Sequence, residues 1–163
     1  MNRAYVILAV LLVAIVGVGA ASRILGQGDD KAMIKETLRL SLQASREGKP
    51  GNVMEALSKS LTVNDQEASG NMGMVANYIK NQKPDLEVTN PTPIVTGDEA
   101  RILSPVKIKT SLPFVGEKTI TVKDVTMVFH RETAREYLVI PVKKWRLVQV
   151  LAPPVALDTL GIE

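Results

Sequence analysis

Hydrophobic and polar positions divide this chain into three regimes. From Ala4 to Ala21 every residue is apolar or small and none is charged, with Arg3 before the run and Arg23 after it. A helix of about 18 such residues just suffices to cross the hydrocarbon core of a bilayer. From Asp29 to Lys83 apolar residues recur at three- and four-residue intervals, the spacing of one helix face. From Leu86 onward the chain turns to runs rich in Val, Ile and Thr, the composition of strands.

Within the helical regime, Asp29-Asp30 supplies an N-cap and a negative charge for a first turn. Met33, Ile34, Leu38, Leu40 and Leu42 follow, and Gly48 with Pro50 ends the helix. Asn52-Val53-Met54-Glu55 reads as a cap residue with glutamate three positions on, opening a second, short helix that carries Met54, Leu57 and Leu61. Thr62 to Gly73 is polar and reads as an irregular connection. Met74, Val75, Tyr78 and Ile79 predict a third helix that stops at Lys83, because Pro84 disfavours the helical conformation in the residue before it.

The strand regime holds four runs: Leu86 to Val95, Ala100 to Leu112, Lys118 to Arg131, and Tyr137 to Leu151. The breaks at Gly97-Asp98, Pro113 to Gly116 and Glu132 to Arg135 are short enough for hairpins, which predicts a mostly antiparallel sheet. Pro91 and Pro93 place the first run at an edge, since proline donates no ladder hydrogen bond. The division expected is 1–25 as membrane anchor or signal segment, 26–28 as linker, 29–151 as one α+β domain, and 152–163 as a tail running extended over the surface. Helices ahead of a meander of strands predict helices packed on one face of a curved sheet.

The apolar start has two readings. As an anchor, it keeps the chain attached to the membrane through residues 4–21, with Arg3 inside and the domain outside the cytoplasm. As a signal peptide, it is cut at the small residues Val18 to Ala21, and the mature domain is secreted. Length favours the anchor.

Composition removes several function classes. The pI of 9.2 is no nucleic-acid footprint: Arg3 and Arg23 account for two of 20 basic residues, leaving 18 against 17 acidic ones. With no cysteine, disulfides, thiolate metal sites and cysteine nucleophiles are excluded. There is no phosphate-binding glycine loop, no nucleophile elbow, no His-Glu-x-x-His and no calcium loop. No metal and no cofactor is expected.

Element order and one tryptophan strand carry a resemblance. A long helix, a short second helix in Val53-Met54-Glu55-Ala56-Leu57, a third helix, and strands ending in Lys144-Trp145-Arg146-Leu147-Val148-Gln149-Val150 resemble the nuclear-transport-factor-like, or SnoaL-like, cone fold over roughly Asp29 to Leu151. The resemblance implies a cystatin-like cone whose cavity is lined from the third helix and the sheet, which makes Tyr78, Ile102, Met127 and Trp145 pocket-lining candidates. Related cone-fold enzymes place acid-base groups on the inner sheet. Here the polar candidates are Asp124 and His130, which share an alternating face; a turn or bulge position for Asp124 and a surface position at a strand end for His130 are the simpler readings. Lys107 and Lys109, with Lys143, Lys144 and Arg146, would form a basic stripe if their strands were neighbours. The function expected is a membrane-anchored, extracytoplasmic binding or assembly module without catalysis and with an unidentified protein partner. The alternative is a small-ligand carrier or an enzyme that uses the cone cavity.

Overall fold

The computed structural model describes residues 29–112, 116–136 and 140–153. Helix α1 (Asp30–Glu47) is capped by Asp29, whose Oδ1 accepts from the Lys31 amide at 3.0 Å, and it closes at Gly48 in the left-handed conformation. Its buried face carries Ile34 and Leu38 and three hydroxyls, Thr37, Ser41 and Ser45. Helix α2 (Pro50–Glu55) begins with proline near its first position after Lys49. Asn52 therefore stands inside the helix and not at its cap, because Pro50 already fixes the backbone angle that a first turn requires. Strand β1 (Leu57–Val63) follows at once. Leu57 and Leu61, expected on the second helix, are strand residues with their side chains in the core.

The polar connection is also more ordered than its composition suggests. Val63 to Gln66 is a tight turn through Asn64 and Asp65, both with positive φ, and β2 (Gln66–Glu67) pairs back on β1. A short 3-10 turn (Ser69–Asn71) leads into α3 (Met72–Gln82), which ends at Lys83 ahead of Pro84. The remaining strands are β3 (Asp85–Val88), β4 (Ile94–Thr96), β5 (Glu99–Leu112), β6 (Gly116–Glu136) and β7 (Ile140–Leu151).

The sheet runs in the order β2-β1-β7-β6-β5-β3, with β4 also on β5. It is mixed: β1 lies parallel to β7, and the other pairs are antiparallel. The prolines fall between β3 and β4, which share the β5 edge, so the run from Leu86 to Val95 is two short strands. The segment from Glu132 to Arg135 is not a hairpin turn, since β6 continues through it in register with β7 up to Glu136 opposite Ile140. Lys107 and Lys109 on β5 are separated from β7 by β6, so they form no continuous stripe with Lys143, Lys144 and Arg146. They pair instead with Glu87 and Asp85 on β3.

The core lies between the helices and one face of the sheet. Ile34 and Leu38 of α1, Val53 of α2 and Val75 and Ile79 of α3 meet Ala100, Ile102, Val106, Ile108, Val122, Val125, Met127, Phe129 and Leu147. The C-terminal end of α1 is tied to the β3 edge: Ser45 Oγ donates to the Pro84 carbonyl at 3.1 Å, and Arg46 reaches the Asp85 carboxylate and the Leu86 carbonyl. Among the described residues no helix is long and apolar enough to cross a membrane; residues 4–21, to which the anchor was assigned, lie outside them, as does the tail beyond Pro153.

Candidate functional site

The densest polar constellation on the core side of the sheet stands where α1 begins. β6 and β7 set Arg131 opposite Trp145, two pairs beyond the buried Phe129 and Leu147. Alternation therefore points Arg131 to the same side as Phe129, toward the helices. Trp145 is almost fully buried, and its Nε1–H donates to Asp30 Oδ1 at 3.1 Å. The other oxygen of Asp30 accepts from Arg131 Nη2. The Arg131 guanidinium carbon sits 4.9 Å from the Trp145 ring centroid, within cation–π range. Asp98, in the β4–β5 turn, adds a second carboxylate 3.5 Å from Arg131 Nε, and its carbonyl accepts the Arg131 amide at 2.9 Å. One cation is thus held by two carboxylates and an aromatic face. Such a group is already neutralised and has no lone pair offered to a substrate.

The pocket candidates occupy the interior. Ile102 and Met127 are cross-strand partners on β5 and β6 and are fully buried. Tyr78, on α3, is half-buried against the core, and burial raises its phenol above the ordinary tyrosine value by disfavouring the phenolate. Ser41 Oγ, on the buried face of α1, has no hydrogen-bond partner among the described residues.

Asp124 and His130 are not joined to this interior. Asp124 has φ +57° and is exposed, in the bulge where the β5–β6 register slips between Ser104 and Val106. His130 faces solvent on the other side of the sheet, its Nε2 3.3 Å from Glu99 Oε2. Arg101 Nε donates to that same Glu99 at 2.6 Å. The Arg101 hydrogen bond is the larger cause, and the His130 contact a smaller one, that holds Glu99 below the ordinary carboxylate range. A further cluster on this outer side was not anticipated: buried Ser58 Oγ donates to Glu132, which Arg146 also approaches at 3.5 Å. Among the described residues no group of three or more His, Cys, Asp or Glu is placed to hold a metal ion. The signal for Arg131 was present in the sequence as a charge on the inward phase of a buried strand. Asp30 and Asp98 carried no such mark, because a cap and a turn aspartate are ordinary in those places.

No protein-family model and no curated protein matches the sequence. Solved structures do match in shape. The CaMKII hub of S. rosetta superimposes with a TM-score of 0.57 at 15% identity, over 78% of this chain and 98% of that one. An NTF2-like protein of unknown function in nutrient uptake from Rhodospirillum rubrum gives 0.56 at 16%, over 78% and 100%. A nuclear transport factor 2-like superfamily protein from Salmonella enterica gives 0.54 at 17%, over 77% and 91%. At these identities the likeness is one of fold: this chain carries the nuclear-transport-factor-like cone fold.

Proposed function

We propose that this protein is a membrane-anchored, extracytoplasmic binding or assembly module without chemistry of its own. The observation that carries the reading is the filling of the cone. Ile102, Met127 and Trp145 are buried beneath the helices, and the inward cation Arg131 is paired with Asp30 and lies 3.5 Å from Asp98. General acid-base catalysis needs a tuned group within reach of a substrate and a second that orients it. The two acid-base candidates, Asp124 and His130, stand outside the described interior. The shape likeness to a CaMKII hub, and to a putative calcium/calmodulin-dependent protein kinase II association domain from Xanthomonas campestris (TM-score 0.52, 11% identity, over 83% of this chain and 95% of that one), supports the assembly sense of the reading.

A second reading, a small-ligand carrier or enzyme, is favoured by two polar groups inside: the unpartnered Ser41 hydroxyl and the half-buried Tyr78 phenol. Two measurements on the full chain separate the readings. Protease added outside sealed, right-side-out cells removes an extracytoplasmic domain, whereas complete protection rejects the topology. Native mass spectrometry of the purified protein gives the mass of polypeptide alone for an assembly module, and a copurifying small molecule lost in Tyr78→Phe or Ser41→Ala would replace it with the carrier.

A further inference from the structure

On the outer face of the sheet, Arg146 is deeply buried for an arginine and poorly paired. Its side chain is 22% exposed, yet its ion contact among the described residues is Glu132 at 3.5 Å, and its buried Nε has no hydrogen-bond partner there. Arg39 and Arg101 are more than half exposed and hold their carboxylates at 2.7 and 2.6 Å. Arg131 also leaves Nε without a hydrogen bond, but Asp30, Asp98 and the Trp145 ring surround it. A guanidinium withdrawn from water needs more than one long contact to replace its hydration.

The partner of Arg146 is held away from it. Ser58 lies where β1 slips against β7, between Leu57 and Thr62, and donates its one hydroxyl proton to Glu132 Oε1. Ser60 Oγ, 3.0 Å from Ser58 Oγ, must then be the donor in that contact, and the Ser60 amide donates to the same oxygen at 3.2 Å. These bonds fix the carboxylate toward β1. In its own row Arg146 has His130 as cross-strand partner, and His130 faces Glu99, which Arg101 already holds. Neither neighbouring carboxylate closes on Arg146.

We propose that Arg146 is the centre of a carboxylate-binding subsite on the outer face, with His130 and Ser60 at its rim. A carboxylate suits the planar guanidinium, which takes two parallel N–H···O bonds from one such group. A phosphate dianion would set twice the charge against Glu132 and Glu99. The subsite goes beyond the assembly reading, since a small molecule and an acidic side chain of a partner present the same group.

The test follows the Arg146 side-chain and His130 ring resonances of the isotope-labelled full chain during titration with sodium acetate, with sodium chloride at equal ionic strength as the blank. Acetate is expected to shift both saturably, with half-saturation on the order of 10 mM for one bidentate contact in a partly open site. Arg146→Gln should abolish the response. Glu132→Gln keeps an acceptor for Ser58 and removes the competing charge, so it should lower half-saturation by about threefold or more. Shifts no larger with acetate than with chloride overturn the proposal, as does a response unchanged in Arg146→Gln. Should Arg146→Gln fail to fold, Glu132→Gln decides alone: without a gain in affinity the pair is structural and the proposal falls. A glutamate decapeptide acting at about tenfold lower carboxylate concentration assigns the group to a polypeptide partner, and parity with acetate assigns it to a small molecule. Unchanged Trp145 emission verifies the fold of each variant.

Discussion

Trp145 donates its indole N–H to Asp30 across 115 positions of sequence, fastening the last strand to the first turn of the first helix. The bond has two consequences for stability. Trp145→Ala removes a large buried ring and leaves a cavity, expected to cost about 3–5 kcal/mol. Trp145→Phe keeps most of the apolar volume and loses only the donor, expected to cost about 1 kcal/mol. Urea denaturation followed by circular dichroism checks both. Native emission at the wavelength of tryptophan free in water would contradict the burial on which they rest.

The carboxylate end of the same contact carries a different expectation. Asp30→Asn leaves an acceptor for the indole but takes the closer anion from Arg131, whose remaining ion partner, Asp98, is 71% exposed on its side chain. The Arg131 and Asp30 side chains are themselves 24% and 31% exposed, so water screens part of the loss. A destabilisation of about 1–2 kcal/mol is expected. Asp98→Asn should cost less than half of that, since solvent already surrounds it; equal costs would mean that Asp98 is the principal partner.

How far the sequence reveals this arrangement depends on what each element needs from elsewhere. α1 and α3 are legible because cap, period and terminator agree locally: Asp29 and Gly48 for one, Lys83-Pro84 for the other. β1 is not. Met54, Leu57 and Leu61 fit a helical spacing, while Leu57, Leu61 and Val63 fit a strand equally well, and what decides is the parallel partner β7 more than 80 residues away. The far part of β6 is misread for a related reason. Glu132 and Thr133 look like a turn because their cross-strand partners, Lys144 and Lys143, are polar too, so the ribbon lacks an apolar face to announce it. The candidate residues Tyr78, Ile102, Met127 and Trp145 were legible as inward positions. The Asp30–Arg131 pairing required the fold.

The ends of α1 and α3 come together at Gly48, whose φ of +68° is one that L side chains rarely adopt. A Cβ there would lie 3.1 Å from Lys83 side-chain atoms and 3.2 Å from the Lys80 carbonyl oxygen. Lysine can swing away, whereas the carbonyl and the backbone angle cannot. Gly48→Ala is therefore expected to cost about 1–2 kcal/mol, nearly all of it retained when Lys83 is also changed to Ala. A coupling above about 0.5 kcal/mol in that double-mutant cycle would place the penalty on the lysine contact instead.

Acid should erode a small surface contribution. Glu36 is held below its ordinary value first by the hydrogen bond from Arg39, Glu47 by Lys49 and Gln43, and Glu99 by Arg101. A carboxyl group whose folded value is depressed stabilises the fold fully above its unfolded value, and that gain disappears as pH falls through the folded value. Stability is thus expected to decline from just below the ordinary glutamate range downward. All three side chains are more than a third exposed, so the decline should be shallow and should shrink further in molar salt. A salt-insensitive acid transition would point to buried carboxylates in its place.

Asp124 offers the sharpest separation between a backbone role and a chemical one. It sits at φ +57° in the β5–β6 bulge, with its side chain exposed. An L residue in that conformation carries a steric cost of about 1–2 kcal/mol that glycine avoids, against about 0.5–1 kcal/mol of added chain entropy in the unfolded state. Asp124→Gly should therefore leave stability unchanged or raise it by up to about 1 kcal/mol, while Asp124→Val, β-branched at positive φ, should lower it by more than 1 kcal/mol. If the aspartate is there for its backbone, Asp124→Asn, which tolerates the same conformation, should match the wild type in melting temperature and in any binding the protein displays. Loss of binding in Asp124→Asn with the melting temperature intact would give the carboxylate a functional task, and the exposed bulge would then have to be counted as part of a recognition surface.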